Sequence, residues 1–80
     1  MKTWKTYLLI WHSSEGDNPY VVMEKISKLG FVPTIGHYDL EYDHGKKVDL
    51  QEVMSLAVKV HETLKGSNVL YKIETRPSED

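Results

Sequence analysis

From Trp4 to His12 the chain is dense in aromatic and aliphatic residues, with Lys5 and Thr6 the only polar entries before His12. Successive side chains of a strand point to opposite faces, so Trp4, Thr6, Leu8 and Ile10 share one side and Lys5, Tyr7, Leu9 and Trp11 the other. Apolar groups stand on both sides, which is expected of a central strand covered on both faces. The run from Tyr7 to Trp11 is far below the roughly 20 apolar residues that span a bilayer, and no small-residue cleavage site follows it. The expectation is a cytoplasmic protein with no membrane segment.

Only 80 residues, none of them cysteine, are available to build around this strand. A chain of this size buries about 60–65% of the surface its unfolded form exposes, so one domain over residues 1–75, with a flexible polar tail over 76–80, is expected. Disulfides and thiolate metal sites are excluded, which leaves packing, including packing across an oligomer interface, as the source of stability. A net charge of −2 gives no general attraction to phosphate backbones. Nucleic acid is therefore not an expected partner.

Asn18-Pro19 reads as an N-cap followed by proline at the first helical position, and Val22, Ile26 and Leu29 form a helical stripe that Gly30 ends. Phe31 to Ile35 and Tyr38 to His44 read as two arms of a hairpin around Gly36, with Pro33 marking an edge strand; a single bulged strand is the alternative. In the second arm Tyr38, Leu40 and Tyr42 share one face, and His37, Asp39, Glu41 and Asp43 share the other. Asp49 to Glu52 resembles a capping box, with Glu52 reaching back. A second helix follows, with a stripe of Leu50, Val53, Met54, Ala57, His61 and Leu64. Val69, Tyr71 and Ile73 alternate with Leu70, Lys72 and Glu74 in a last strand.

This order predicts an α+β fold of the ferredoxin-like β-α-β-β-α-β kind, a four-stranded antiparallel sheet with two helices on one face. The other face then carries Tyr7, Leu9 and Trp11 from the first strand and His37, Asp39, Glu41 and Asp43 from the third. An aromatic and aliphatic strip on a central strand predicts sheet-to-sheet association, most simply a homodimer, with a small-molecule or protein ligand bound at that face.

At Thr34-Ile35-Gly36-His37-Tyr38-Asp39 the sequence resembles the Thr-x-Gly-x-Tyr-Asp turn of GYD-type domains and of the ligand-sensing domains of leucine-responsive regulators, both dimeric α+β barrel families. The likeness in element order runs from about Tyr7 to Thr75. It implies dimers or rings built by sheet packing, with small effectors bound between subunits in the regulator case. Here the chain differs in having no N-terminal helix-turn-helix and in carrying acids at Asp39, Glu41 and Asp43.

Period two aligns His37, Asp39, Glu41 and Asp43, the types that hold divalent cations, but neighbouring positions lie about 7 Å apart on one strand. The simpler reading is a solvated charged face, with no metal or cofactor expected and His37 and Asp39 the weak candidates. A small metal-dependent or barrel-type enzyme using His37, Asp39, Glu41 and His12 is the alternative function. His12-Ser13-Ser14-Glu15 contains the residue types of nucleophilic catalysis but reads as a polar loop. His61 reads as a packed, hydrogen-bonded histidine and His44 as a turn residue. Single-stranded RNA recognition by Tyr7 and Trp11 is opposed by the neighbouring acids and by the lack of an RNP pattern.

Overall fold

The computed structural model describes residues 3–78. Four strands, β1 (Trp4–Trp11), β2 (Val32–Pro33), β3 (Leu40–Asp43) and β4 (Leu70–Pro77), form one sheet in the order β2-β3-β1-β4. Every neighbouring pair is antiparallel. Two helices, α1 (Pro19–Ser27) and α2 (Leu50–Leu64), complete an α+β architecture. Among the described residues no helix is long and apolar enough to cross a membrane.

Helix starts are set by local chemistry. Asn18 caps α1 by accepting from the Val21 N–H, ahead of Pro19, whose missing N–H costs nothing at the first helical position. Asp49 caps α2 by accepting from the Glu52 N–H at 2.9 Å. The reciprocal half of the expected box is not made, because the Glu52 carboxylate pairs with Lys46 at 3.5 Å.

Register decides which side chains meet the helices. Leu8 lies opposite Leu40 and Ile73, and Ile10 opposite Tyr71. These face a core completed by Val22 and Ile26 of α1, Phe31, and Leu56, Val60 and Leu64 of α2. Both helices therefore cover the same face of the sheet. The expected stripe of α2 is corrected: Leu50 is 75% and Met54 55% exposed, and His61 is also exposed rather than packed. The sequence of α2 carries two overlapping apolar stripes, and the one through Leu56, Val60 and Leu64 is buried.

Residues 31–44 form a hairpin, since Val32 pairs with Glu41 and Pro33 with Leu40. Its first arm is only two residues long, and the loop closes through Thr34 N–H donating to the Asp39 carbonyl at 3.1 Å. Gly36 has φ +115°, a value that side-chain-bearing residues rarely adopt, which explains glycine at the loop apex. At the other end of the chain β4 runs through Pro77, and Ser78 is buried with its N–H on the Thr3 carbonyl. Arg76 and Pro77, expected in a flexible tail, thus belong to β4, and Ser78 bonds to Thr3 at its end; 79–80 lie outside the described residues.

Candidate functional site

The sheet face without helices is built from the odd positions of β1 and their partners. Tyr7 lies opposite Glu41 and Glu74, Leu9 opposite Lys72, and Trp11 opposite Leu70. At its centre the Tyr7 and Tyr38 rings stack at 5.2 Å, tilted by 36°. The Arg76 guanidinium sits 4.6 Å from the Tyr7 ring centre, within cation–π range. The Tyr38 hydroxyl donates to the Glu74 carboxylate, which holds the Glu74 carboxyl below and the Tyr38 phenol above its usual range. Lys5 pairs with Glu41 at 3.1 Å beside this cluster.

Tyr38 was expected on the helix face with Leu40 and Tyr42. It lies on the open face instead, because regular alternation stops at Asp39. The Asp39 N–H donates to the Leu8 carbonyl, and its carboxylate accepts from the Ile10 N–H at 2.8 Å, replacing the ladder bond that a further strand residue would make. Asp39 is thereby a structural cap on β1. Among the other candidates, His37 is exposed and sets its ring edge on Tyr38 at 5.4 Å, and Glu41 is committed to Lys5. The row His37, Asp39, Glu41 is therefore not a free ligand set, and among the described residues no group of three or more His, Asp or Glu side chains is placed to hold a metal ion. In the 12–15 loop His12 is exposed and Ser13 Oγ accepts from the Glu15 N–H, so no nucleophile–base pair is assembled there.

Away from the centre, the open face ends in an apolar corner. Trp11 and Leu70 are cross-strand partners and remain 51% and 74% exposed, with Leu9 half-buried next to them. The sequence pointed to Leu9 and Trp11 but not to Leu70, because the β1–β4 register that sets Leu70 opposite Trp11 is invisible to periodicity alone.

A second feature escaped sequence reasoning. Thr6 is fully buried at the centre of the helix face, and its hydroxyl sits 2.7 Å from both His44 Nε2 and Thr75 Oγ1. Its one proton goes to one partner while a lone pair serves the other. His44 packs on Tyr42 and lines a cleft of about 450 Å³ with Asp49, Glu52, Ser55 and Lys59 of α2. A signal existed in the threonine on an otherwise apolar face of β1: a buried hydroxyl needs partners.

Burial pushes the His44 imidazole below its ordinary value, against the raising influence of Glu52 and Asp43. The folded state therefore favours neutral His44. The resulting stability is fully present above the unfolded value of about 6.5 and is lost as pH falls from there toward the lowered folded value. Thermal melts at about pH 7.5 and about pH 5.5 should show the wild type losing more stability on acidification than His44→Gln. Equal losses in the two proteins would contradict the linkage.

Compared with known proteins, the chain matches no family model, no curated protein and no solved structure.

Proposed function

We propose that the chain is a non-enzymatic, ferredoxin-like module that self-associates through its helix-free sheet face and binds a small molecule or protein there. The strand order, read from the other edge as β4-β1-β3-β2, and the burial of both helices on one face support the fold assignment. The turn through Gly36, Tyr38 and Asp39, which joins β2 to β3, supports the likeness to GYD-type and leucine-responsive sensing domains. One observation carries the functional reading. Trp11 and Leu70 are adjacent, large, apolar and more than half exposed, next to a stacked Tyr7–Tyr38–Arg76 cluster on a face with no helix over it. Aromatic and arginine side chains of this kind dominate binding surfaces because they bury much area with few rotatable bonds.

Sedimentation at micromolar concentration tests this. The wild type should be a dimer, and the double variant Trp11→Asp/Leu70→Asp should be a monomer with an unchanged far-ultraviolet dichroism spectrum, since both positions lie outside the core. A strictly monomeric wild type whose Trp11 fluorescence is freely quenched by acrylamide would overturn the reading.

A further inference from the structure

The two edges of the sheet are treated differently by the sequence. At one end β2 is two residues long and contains Pro33, which blunts it. At the other, β4 is eight residues long and pairs with β1 along its whole length, and among the described residues no strand lies beyond it.

Which of its backbone groups are spent follows from the bonds at the sheet ends. Ser78 N–H donates to the Thr3 carbonyl, so Thr3 and Ser78 are a hydrogen-bonded pair. On the other side of β1, Trp4 and Leu8 carbonyls accept from His44 and Asp39 N–H groups, so even positions of β1 point to β3. Hydrogen-bonded and non-hydrogen-bonded pairs alternate along an antiparallel ladder. In β4, Leu70, Lys72, Glu74 and Arg76 therefore point their N–H and C=O groups at β1, while Tyr71, Ile73 and Thr75 point theirs away from the sheet. Among the described residues, no loop or side chain bonds to these outward groups.

We propose that this edge pairs with the β4 edge of a second copy of the chain, antiparallel and centred on Ile73, giving a continuous eight-stranded sheet across a two-fold axis. Centring on Ile73 sets Ile73 opposite its symmetry mate and Tyr71 opposite Thr75 of the other copy, so each of the three residues gives one N–H and takes one C=O bond. On the open face the same register sets Lys72 opposite Glu74 and Leu70 opposite Arg76 of the other copy. The competing centres fail on charge or length. Centring on Lys72 or Glu74 opposes like charges at the two-fold axis, centring on Thr75 wastes a ladder position on Pro77, and centring on Tyr71 shortens the overlap. Charged residues on an edge strand ordinarily prevent pairing. Here the spacing of Lys72 and Glu74 makes them self-complementary instead, and selects one register.

This pairing is made by the outward backbone groups of β4 rather than by packing of the sheet face, and it has its own readout. Amide hydrogen exchange is followed by nuclear magnetic resonance on the full chain at millimolar concentration. The Tyr71, Ile73 and Thr75 amides should be protected to about the degree of Lys72 and Glu74, and their protection should fall on dilution while that of Lys72 and Glu74 persists. Lys72→Glu and Glu74→Lys should each weaken edge association by about tenfold or more, since opposite charges become like charges at two symmetric positions, and mixing the two variants should restore it. Solvent-like exchange of Tyr71, Ile73 and Thr75 beside protected Lys72 and Glu74 would overturn the proposal. A dimer with that exchange pattern would leave the sheet-face reading intact. A dimer that persists at micromolar concentration in Trp11→Asp/Leu70→Asp, with its outward amides protected, would overturn the sheet-face reading and leave the edge pairing standing.

Discussion

Leu8→Ala is expected to remove roughly 2–5 kcal/mol of stability, the range for deleting a fully buried leucine side chain from a packed core. Leu8 has no exposed surface and stands where β1 meets both of its neighbours, opposite Leu40 and Ile73. The helix residues above it cannot close the void without shifting both helices relative to the sheet. A chain of this length has about 4–12 kcal/mol in total at roughly 0.05–0.15 kcal/mol per residue, so the substitution consumes a large share of it. Urea denaturation should show a lower midpoint with the slope unchanged. A midpoint within experimental error of the wild type would mean that Leu8 is not at the centre of the core.

The second large effect is expected at Gly16, in the loop between β1 and α1. A Cβ added there would stand 2.3 Å from the Ser67 carbonyl oxygen and 2.9 Å from that of Asn68. Both obstacles are backbone, so neither can rotate aside. The two loops are also fastened together. Asp17 N–H donates to the Ser67 carbonyl, and the Asp17 carboxylate accepts from Lys25 Nζ at 2.7 Å and from Ser67 Oγ at 2.9 Å. The lysine ammonium and then the serine hydroxyl hold the Asp17 carboxyl below its usual range. Gly16→Ala must therefore break these bonds or strain the loops, at about 1–3 kcal/mol, the range for overpacking. The measurable signature is a lowered melting temperature together with faster amide exchange at Asp17. An alanine variant that melts with the wild type would show that the loops separate at no cost.

Much of the fold was legible because it is written in local chemistry. Asn18-Pro19 and Asp49 mark helix starts through side-chain acceptors and a proline, Gly36 marks a loop apex, and Pro33 marks a sheet edge. Each depends on a few neighbouring residues. Features that depend on distant residues were not legible. Periodicity placed Tyr38 with Leu40 and Tyr42, but the competition of the Asp39 carboxylate for the Ile10 N–H ends the strand and moves Tyr38 to the other face. Periodicity also allowed two stripes on α2, and only packing against Leu8 and Leu40 decides that Leu56 and Val60 are inside. On the open face Tyr7, Leu9 and Trp11 were identified from alternation in β1. Their neighbours Leu70, Glu74 and Arg76 needed the β1–β4 register. The bonds of the Thr6 hydroxyl to His44, just past β3, and to Thr75 of β4 join segments far apart in sequence, so nothing local announces them.

The position of β1 has a kinetic consequence. It lies at the centre of the sheet, yet its partners come from far along the chain: Leu8 meets Leu40 on one side and Ile73 on the other. By contrast, the β2–β3 hairpin closes across a few residues, and α2 needs only its own hydrogen bonds. Loop-closure entropy must be met before long-range strand pairing is rewarded, and chains dominated by such pairing fold slowly. The hairpin and α2 can form early, whereas the β1–β4 ladder has to bring opposite ends of the described chain together. During synthesis β1 emerges before β4 and waits for it, with Leu8, Leu9, Ile10 and Trp11 uncovered until β4 arrives. The apolar stretch that centres the folded sheet is thus an aggregation-prone segment of the nascent chain.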